Sequence, residues 1–151
     1  MEKNNKNSIS LFMVKDHAIV YSFLHEYIQE KNLQRKVLAR RRFLRLLWRL
    51  KTHFDWEELL LFPLVNKKYS KTINRLKKEH KIIMKLLKSI NEKTENDDFN
   101  TEKEDEKLQT LLKNHSTLED NDIYPKLDKE IPEKERKLLL DKMTSQIATD
   151  Y

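Results

Sequence analysis

The sequence contains no glycine. That absence narrows the available folds more than any residue the chain carries. Phosphate-cradling loops, dinucleotide-binding turns, EF-hand loops and Asn-Gly hairpins all need glycine where the backbone turns left-handed or passes close to a ligand. Nucleotide-cradling loops are therefore excluded, and tight β-hairpins are disfavoured. Cysteine is absent too, which removes disulfides, thiolate metal sites, cysteine-ligated iron–sulfur clusters and cysteine nucleophiles. The 151 residues suffice for one domain with its own core.

The remainder reads as helix. Pro63, Pro125 and Pro132 fall near the ends of periodic stretches, where helices start or stop. Long helices are predicted over about 10–30, 34–62, 70–93 and 101–124, with a polar loop at 95–100. A short fifth helix is predicted from Pro132 to near Ile147. Thr101 and Glu104 match a capping box. Residues 10–147 are read as one domain between a polar tail at 1–9 and a C-terminal tail at 148–151. Apolar residues recur at alternating steps of three and four, which places each set on one helix face. The predicted fold is an all-α, antiparallel up-down four-helix bundle with a short C-terminal fifth helix.

Polar residues interrupt these apolar faces. The first helix runs Met13, His17, Val20, Leu24, Tyr27, and the second runs Leu46, Leu50, His53, Glu57, Leu60. The third runs Ile73, Leu76, His80, Ile83, Leu87, and the fourth Leu108, Leu112, His115, Glu119, Asp122. Burying such groups unpaired costs several kcal/mol each, so they need a shared partner. They also repeat. Asp16-His17 returns as Glu79-His80 after 63 positions, and His53, Glu57 and Pro63 return as His115, Glu119 and Pro125 after 62. Each half thus supplies one helix with a single His and one with His-x-x-x-Glu. A pseudo-twofold arrangement would gather four imidazoles and two carboxylates at mid-bundle.

Residues four apart share a helix face, so each His-x-x-x-Glu can address one centre. Two bridging carboxylates and two imidazoles per metal give each of two metals four protein ligands. An oxo, hydroxo or water bridge would add a fifth. An all-nitrogen-and-oxygen set suits iron, manganese or zinc better than soft Cu(I). The predicted metal ligands are His17, His53, Glu57, His80, His115 and Glu119. No residue is assigned a separate catalytic role.

With His17, the string His53-Phe54-x-x-Glu57-Glu58, His80 and His115-x-x-x-Glu119, the chain resembles the hemerythrin-like proteins, also called HHE cation-binding domains. The resemblance spans about residues 10–130. It implies a four-helix bundle around two non-haem irons with an oxo or hydroxo bridge. It also implies small-molecule partners: dioxygen, nitric oxide or peroxide. Members carry or sense oxygen, handle nitric oxide or peroxide, or serve in repair of iron–sulfur clusters. Oxygen carriers place two His four apart on the third helix, whereas His80 has Leu76 before it and Met84 after it. Carriers also use an Asp five residues after the fourth-helix His, where this chain has Glu119 at four. These departures leave open positions on the metals. They favour a sensing, nitric-oxide, peroxide or repair role over reversible carriage; a binding protein is expected ahead of an enzyme.

Other residues receive plainer readings. Tyr21, one turn past His17, reads as a packed aromatic ahead of a phenolate ligand, and His25 as an ordinary helix histidine. Glu58 and Asp120 read as surface charge. Asp122 falls on the inner face, within reach of a hydrogen bond to a ligand. Phe54 and Trp56 read as packing groups that keep water from the metals. The basic string between Arg35 and Lys51 reads as a solvated helix face, ahead of a surface for nucleic acid or acidic lipid. On the latter reading the protein would be a metal-free basic adaptor. Net charge is +6, which permits an acidic partner without requiring one. The longest apolar run, Leu59–Val65, is far below the ~20 residues of a membrane span. The expected location is cytoplasmic.

Overall fold

The computed structural model describes residues 6–150, with side chains through 147. Residues 1–5 of the predicted N-terminal tail and Tyr151 of the C-terminal tail lie outside them. The described residues contain no strand. Six helices run in order: α1 (Ile9–Asn32), α2 (Lys36–Asp55), α3 (Asn66–Glu95), α4 (Glu102–Leu118), α5 (Tyr124–Glu130) and α6 (Glu133–Asp150). Short links between α1 and α2 and between α3 and α4 make these pairs antiparallel neighbours, and α2 packs on α3. The predicted bundle is the fold that forms.

The missing glycines leave a mark. Helices α1 and α3 both end in the motif that usually recruits glycine. Gln34 (φ 59°) and Asp97 (φ 62°) adopt the left-handed conformation just past the two helix ends. Arg35 N–H then bonds the Glu30 carbonyl at 3.0 Å, and Asp98 N–H bonds Lys93 at 2.8 Å. These bonds satisfy carbonyls that the last helical turn leaves open. Gln34 was expected to open the second helix. Its positive φ excludes that, and α2 starts at Lys36.

Thr101 does not form the predicted capping box. Its hydroxyl donates to Asp105 at 3.0 Å and meets the Tyr27 hydroxyl at 2.8 Å and Lys31 Nζ at 3.3 Å. Lys31 also pairs with Asp105. A buried polar knot therefore ties α1 to α4, and Glu104 turns outward to Lys93 at 2.6 Å.

Two departures from α-helix occur at matching positions. Trp56–Leu61 and Glu119–Ile123 are π-helical. Phe62 N–H reaches back five residues to the Glu57 carbonyl, and Tyr124 N–H does the same to Glu119. Each wide turn stands directly before a proline, whose missing N–H would otherwise break the ladder there. After Pro63 the chain makes a 3-10 turn, Phe62–Leu64, and re-enters helix as α3 four residues earlier than predicted, at Asn66, with a kink at Tyr69. Pro125 instead sits in the first turn of α5, so the fourth helical rod continues to Glu130 rather than stopping at Tyr124. The terminal helix, α6, extends to Asp150, beyond the expected end near Ile147.

Two apolar clusters fill the bundle. One lies where α1 begins and gathers Ile9, Met13, Trp56, Leu61, Phe62, Tyr124, Leu127 and Met143, the last from α6. The other gathers Leu24, Tyr27, Phe43, Leu46, Leu87 and Leu108 toward the opposite end. His17, His53, His80 and His115 lie between them. Asp128 on α5 accepts from Ser8 Oγ at 2.7 Å, Ile9 N–H at 2.7 Å and Ser10 N–H at 3.2 Å, capping α1 from across the fold. No helix among the described residues is long and apolar enough to cross a membrane.

Candidate metal centre

All six sequence-predicted residues converge, and all six are buried. The imidazole pairs stand in matching positions: the ring centroids of His17 and His53 are 4.8 Å apart, as are those of His80 and His115. Glu119 Oε1 lies 3.2 Å from both His17 Nε2 and His115 Nε2. Glu57 Oε1 lies 3.4 Å from His53 Nε2 and 3.2 Å from His80 Nε2.

These donors form two groups compact enough to hold a cation. One contains Glu57, His80, His115 and Glu119, and the other His17, His53 and Glu119. Glu119 belongs to both. Glu57 belongs to the first alone.

Each imidazole is aimed by a carboxylate at its far nitrogen. His53 Nδ1 meets Asp16 at 2.7 Å and His115 Nδ1 meets Glu79 at 2.8 Å. His17 Nδ1 meets Asp120 at 2.9 Å and His80 Nδ1 meets Glu58 at 2.6 Å. A ring that donates its Nδ1 proton presents the Nε2 lone pair inward. His80 Nε2 and His115 Nε2 face each other at 3.1 Å. Glu57 Oε1 and Glu119 Oε2 are buried and accept no hydrogen bond. Lone pairs converging on orphaned carboxylate oxygens are what a cation satisfies, and the donor chemistry fits the iron that the sequence resemblance implies.

The protein's own electrostatics compensate for this charge in the absence of a cation. Burial pushes the His17 pKa down, but the hydrogen bonds to Asp120 and Glu119 outweigh it and raise it to about 10. Burial likewise opposes charge on His115, while the Glu119 carboxylate raises it to about 9. Burial raises Glu57, and the neighbouring Glu119 charge raises it further. Burial also acts to raise Glu119, yet the His115 charge and hydrogen bonds from Glu57, His115 and His17 hold it well below the carboxylate range. Asp16 feels burial too, but its bonds to His53 and Arg49 leave it lowered.

Several plainer readings change. Glu58 and Asp120 are not simple surface charges, since each orients an imidazole. Asp122 bonds no candidate ligand; it pairs with Lys126 and lies 3.5 Å from Thr72. Tyr21 bonds Ser116 at 2.5 Å rather than a candidate ligand, and His25 is exposed. Arg49 is not on a solvated face: it is buried, donating Nε to Asp16 at 2.8 Å. Around it, Arg45 pairs with Glu26 at 2.7 Å and Arg40 bonds Asn91 at 2.6 Å. Phe54 stacks on His80 with centroids 4.0 Å apart, and Trp56 is buried beside His53, so both pack as expected.

Asp16 and Glu79 carry roles that the sequence reading missed, as does Tyr124, whose hydroxyl donates to Glu57 Oε2 at 2.8 Å. A signal existed for the carboxylates. Asp16 and Glu79 precede the two lone histidines, and Glu58 and Asp120 follow the two glutamates, so all four obey the internal repeat. Above the imidazoles lies a cavity of about 10 Å³, lined by His17, Val20, Tyr21, Leu50, His53, Phe54, Leu112, His115 and Ser116. That is close to the volume one water-sized molecule requires.

Fold and donor set together define a class: a helical bundle enclosing a buried group of imidazoles and carboxylates that could hold a cation. Residues 9–127 match the hemerythrin HHE cation binding domain, and the chain belongs to that family. No curated protein and no solved structure matches the chain.

Proposed function

We propose that this is a non-haem di-iron protein that binds or senses a small ligand such as dioxygen, nitric oxide or peroxide. His17, His53, Glu57, His80, His115 and Glu119 would hold the two irons, with Glu119 shared between them. The observation that carries this reading is the pair of compact donor groups meeting at one buried carboxylate. Iron held there would supply redox capacity and bind an exogenous ligand.

The chain's own residues account for the rest. Asp16, Glu58, Glu79 and Asp120 fix the ring orientations. Val20, Leu50, Phe54 and Leu112 line the adjoining cavity and keep it apolar. Such a pocket admits a diatomic molecule and excludes a larger substrate. With Leu76 and Met84 flanking His80 on α3, no further imidazole saturates the centre. This supports sensing or turnover ahead of reversible carriage.

The test is elemental analysis of protein expressed with iron, followed by difference spectra with nitric oxide, dioxygen and peroxide. Two irons per chain are expected, falling to one or fewer in His53→Ala. A folded wild-type chain without metal would overturn the reading. Peroxide or nitric oxide turnover lost in His53→Ala would make the protein an enzyme rather than a sensor.

A further inference from the structure

The two donor groups are unequal. The group at His80 and His115 has four members, while the group at His17 and His53 has three. The side chain that fills the difference is Tyr124, which is fully buried at 0% exposure. Its hydroxyl lies 3.1 Å from His17 Nε2, 3.2 Å from His53 Nε2 and 3.2 Å from Glu119 Oε1. Those three residues are the whole of the smaller group. The hydroxyl also donates to Glu57 Oε2 at 2.8 Å.

The internal repeat shows what is special here. Phe62 occupies the corresponding place in the first half and lies parallel to His80, with centroids 6.1 Å apart. Tyr124 packs on His17 at 5.4 Å with the rings tilted by 31°. The two aromatics share a packing role, and the oxygen alone distinguishes them. An aromatic needed only for packing would not place an oxygen among three donors to a cation.

We infer that Tyr124 is the fourth protein ligand of the cation bound by His17, His53 and Glu119, coordinating as a phenolate. The cation replaces the phenolic proton: the O–H bond breaks, the oxygen–metal bond forms, and the proton leaves to solvent. The two metals would then differ, with a phenolate on one alone. This rests on the di-iron reading above.

The test uses full-length protein loaded with iron and oxidised to the ferric state, with iron content measured on each sample. Wild type and Tyr21→Phe are expected to show a visible phenolate-to-iron charge-transfer band and the matching resonance Raman modes. Tyr124→Phe should lose both while retaining about the wild-type iron content. Two irons without a phenolate band in wild type, or a band that persists in Tyr124→Phe, would overturn the inference and leave the di-iron reading intact. A folded wild-type chain without iron would overturn both. If Tyr124→Phe does not fold, ring-deuterated tyrosine in Tyr21→Phe protein replaces it. Isotope-shifted phenolate modes there support the assignment, and their absence overturns it.

Discussion

At the residue scale, the centre depends on four carboxylates that stand behind the imidazoles. Asp16 shows this most clearly, because it holds both His53 and the buried Arg49. Outer partners of a ligating histidine typically contribute 10–100-fold in metal affinity. Asp16→Asn keeps the shape and an acceptor oxygen but removes the charge. It is expected to lower iron affinity by roughly 10–100-fold in chelator competition, with the fold retained by circular dichroism. Asp122→Asn, three residues from Glu119, should leave affinity unchanged, since Asp122 contacts Lys126 and Thr72 instead.

At the scale of elements, the π turns and helix ends show how a chain without glycine manages its backbone. Each wide turn begins at or just before a candidate glutamate and ends before an aromatic-proline pair, so the same local device serves both halves. Within these turns Glu57 and Glu119 face the centre, while Glu58 and Asp120 beside them reach His80 and His17. The helix ends are a weaker point. Gln34 holds a left-handed conformation that disfavours any side chain by about 1 kcal/mol or more. Gln34→Gly is therefore expected to stabilise the protein by about 1 kcal/mol in urea unfolding, with iron content unchanged. No gain would mean that interactions of the Gln34 side chain offset the strain.

At the scale of the whole molecule, protons and metal compete for one buried negative centre. His17 at about 10 and His115 at about 9 both keep their protons at neutral pH when no cation is bound. A cation must displace them, so uptake should release protons and apparent affinity should rise with pH up to about 10. The sign is opposite for the metal-free fold. A histidine raised above its usual 6.5 contributes stability that is complete below that value and fades as pH climbs through about 10. Melting temperatures followed from pH 6.5 to about 10 should therefore fall for metal-free protein, and the gap to iron-loaded protein should widen. A parallel pH course for both forms would contradict this.

The helical class, the bundle and the six converging residues are all legible in the sequence, because each depends on spacing along one helix. Period and repeat are local properties, and the histidines and glutamates stand on the apolar faces that must meet. Helix ends were legible only in part. A proline marks where a ladder loses a donor, but whether the rod breaks, as after Pro63, or continues, as through Pro125, depends on what packs beyond it. Likewise, Glu58 and Asp120 look like surface charge on their own helices, and only the neighbouring helix makes them partners of His80 and His17. Tyr124 is the sharpest case. The sequence places it beside Pro125 as the counterpart of Phe62, equivalent in size and hydrophobicity. Its hydroxyl acquires a role only because folding brings α1, α2 and the second π turn around one point, a distance relation that no spacing within a single helix can encode.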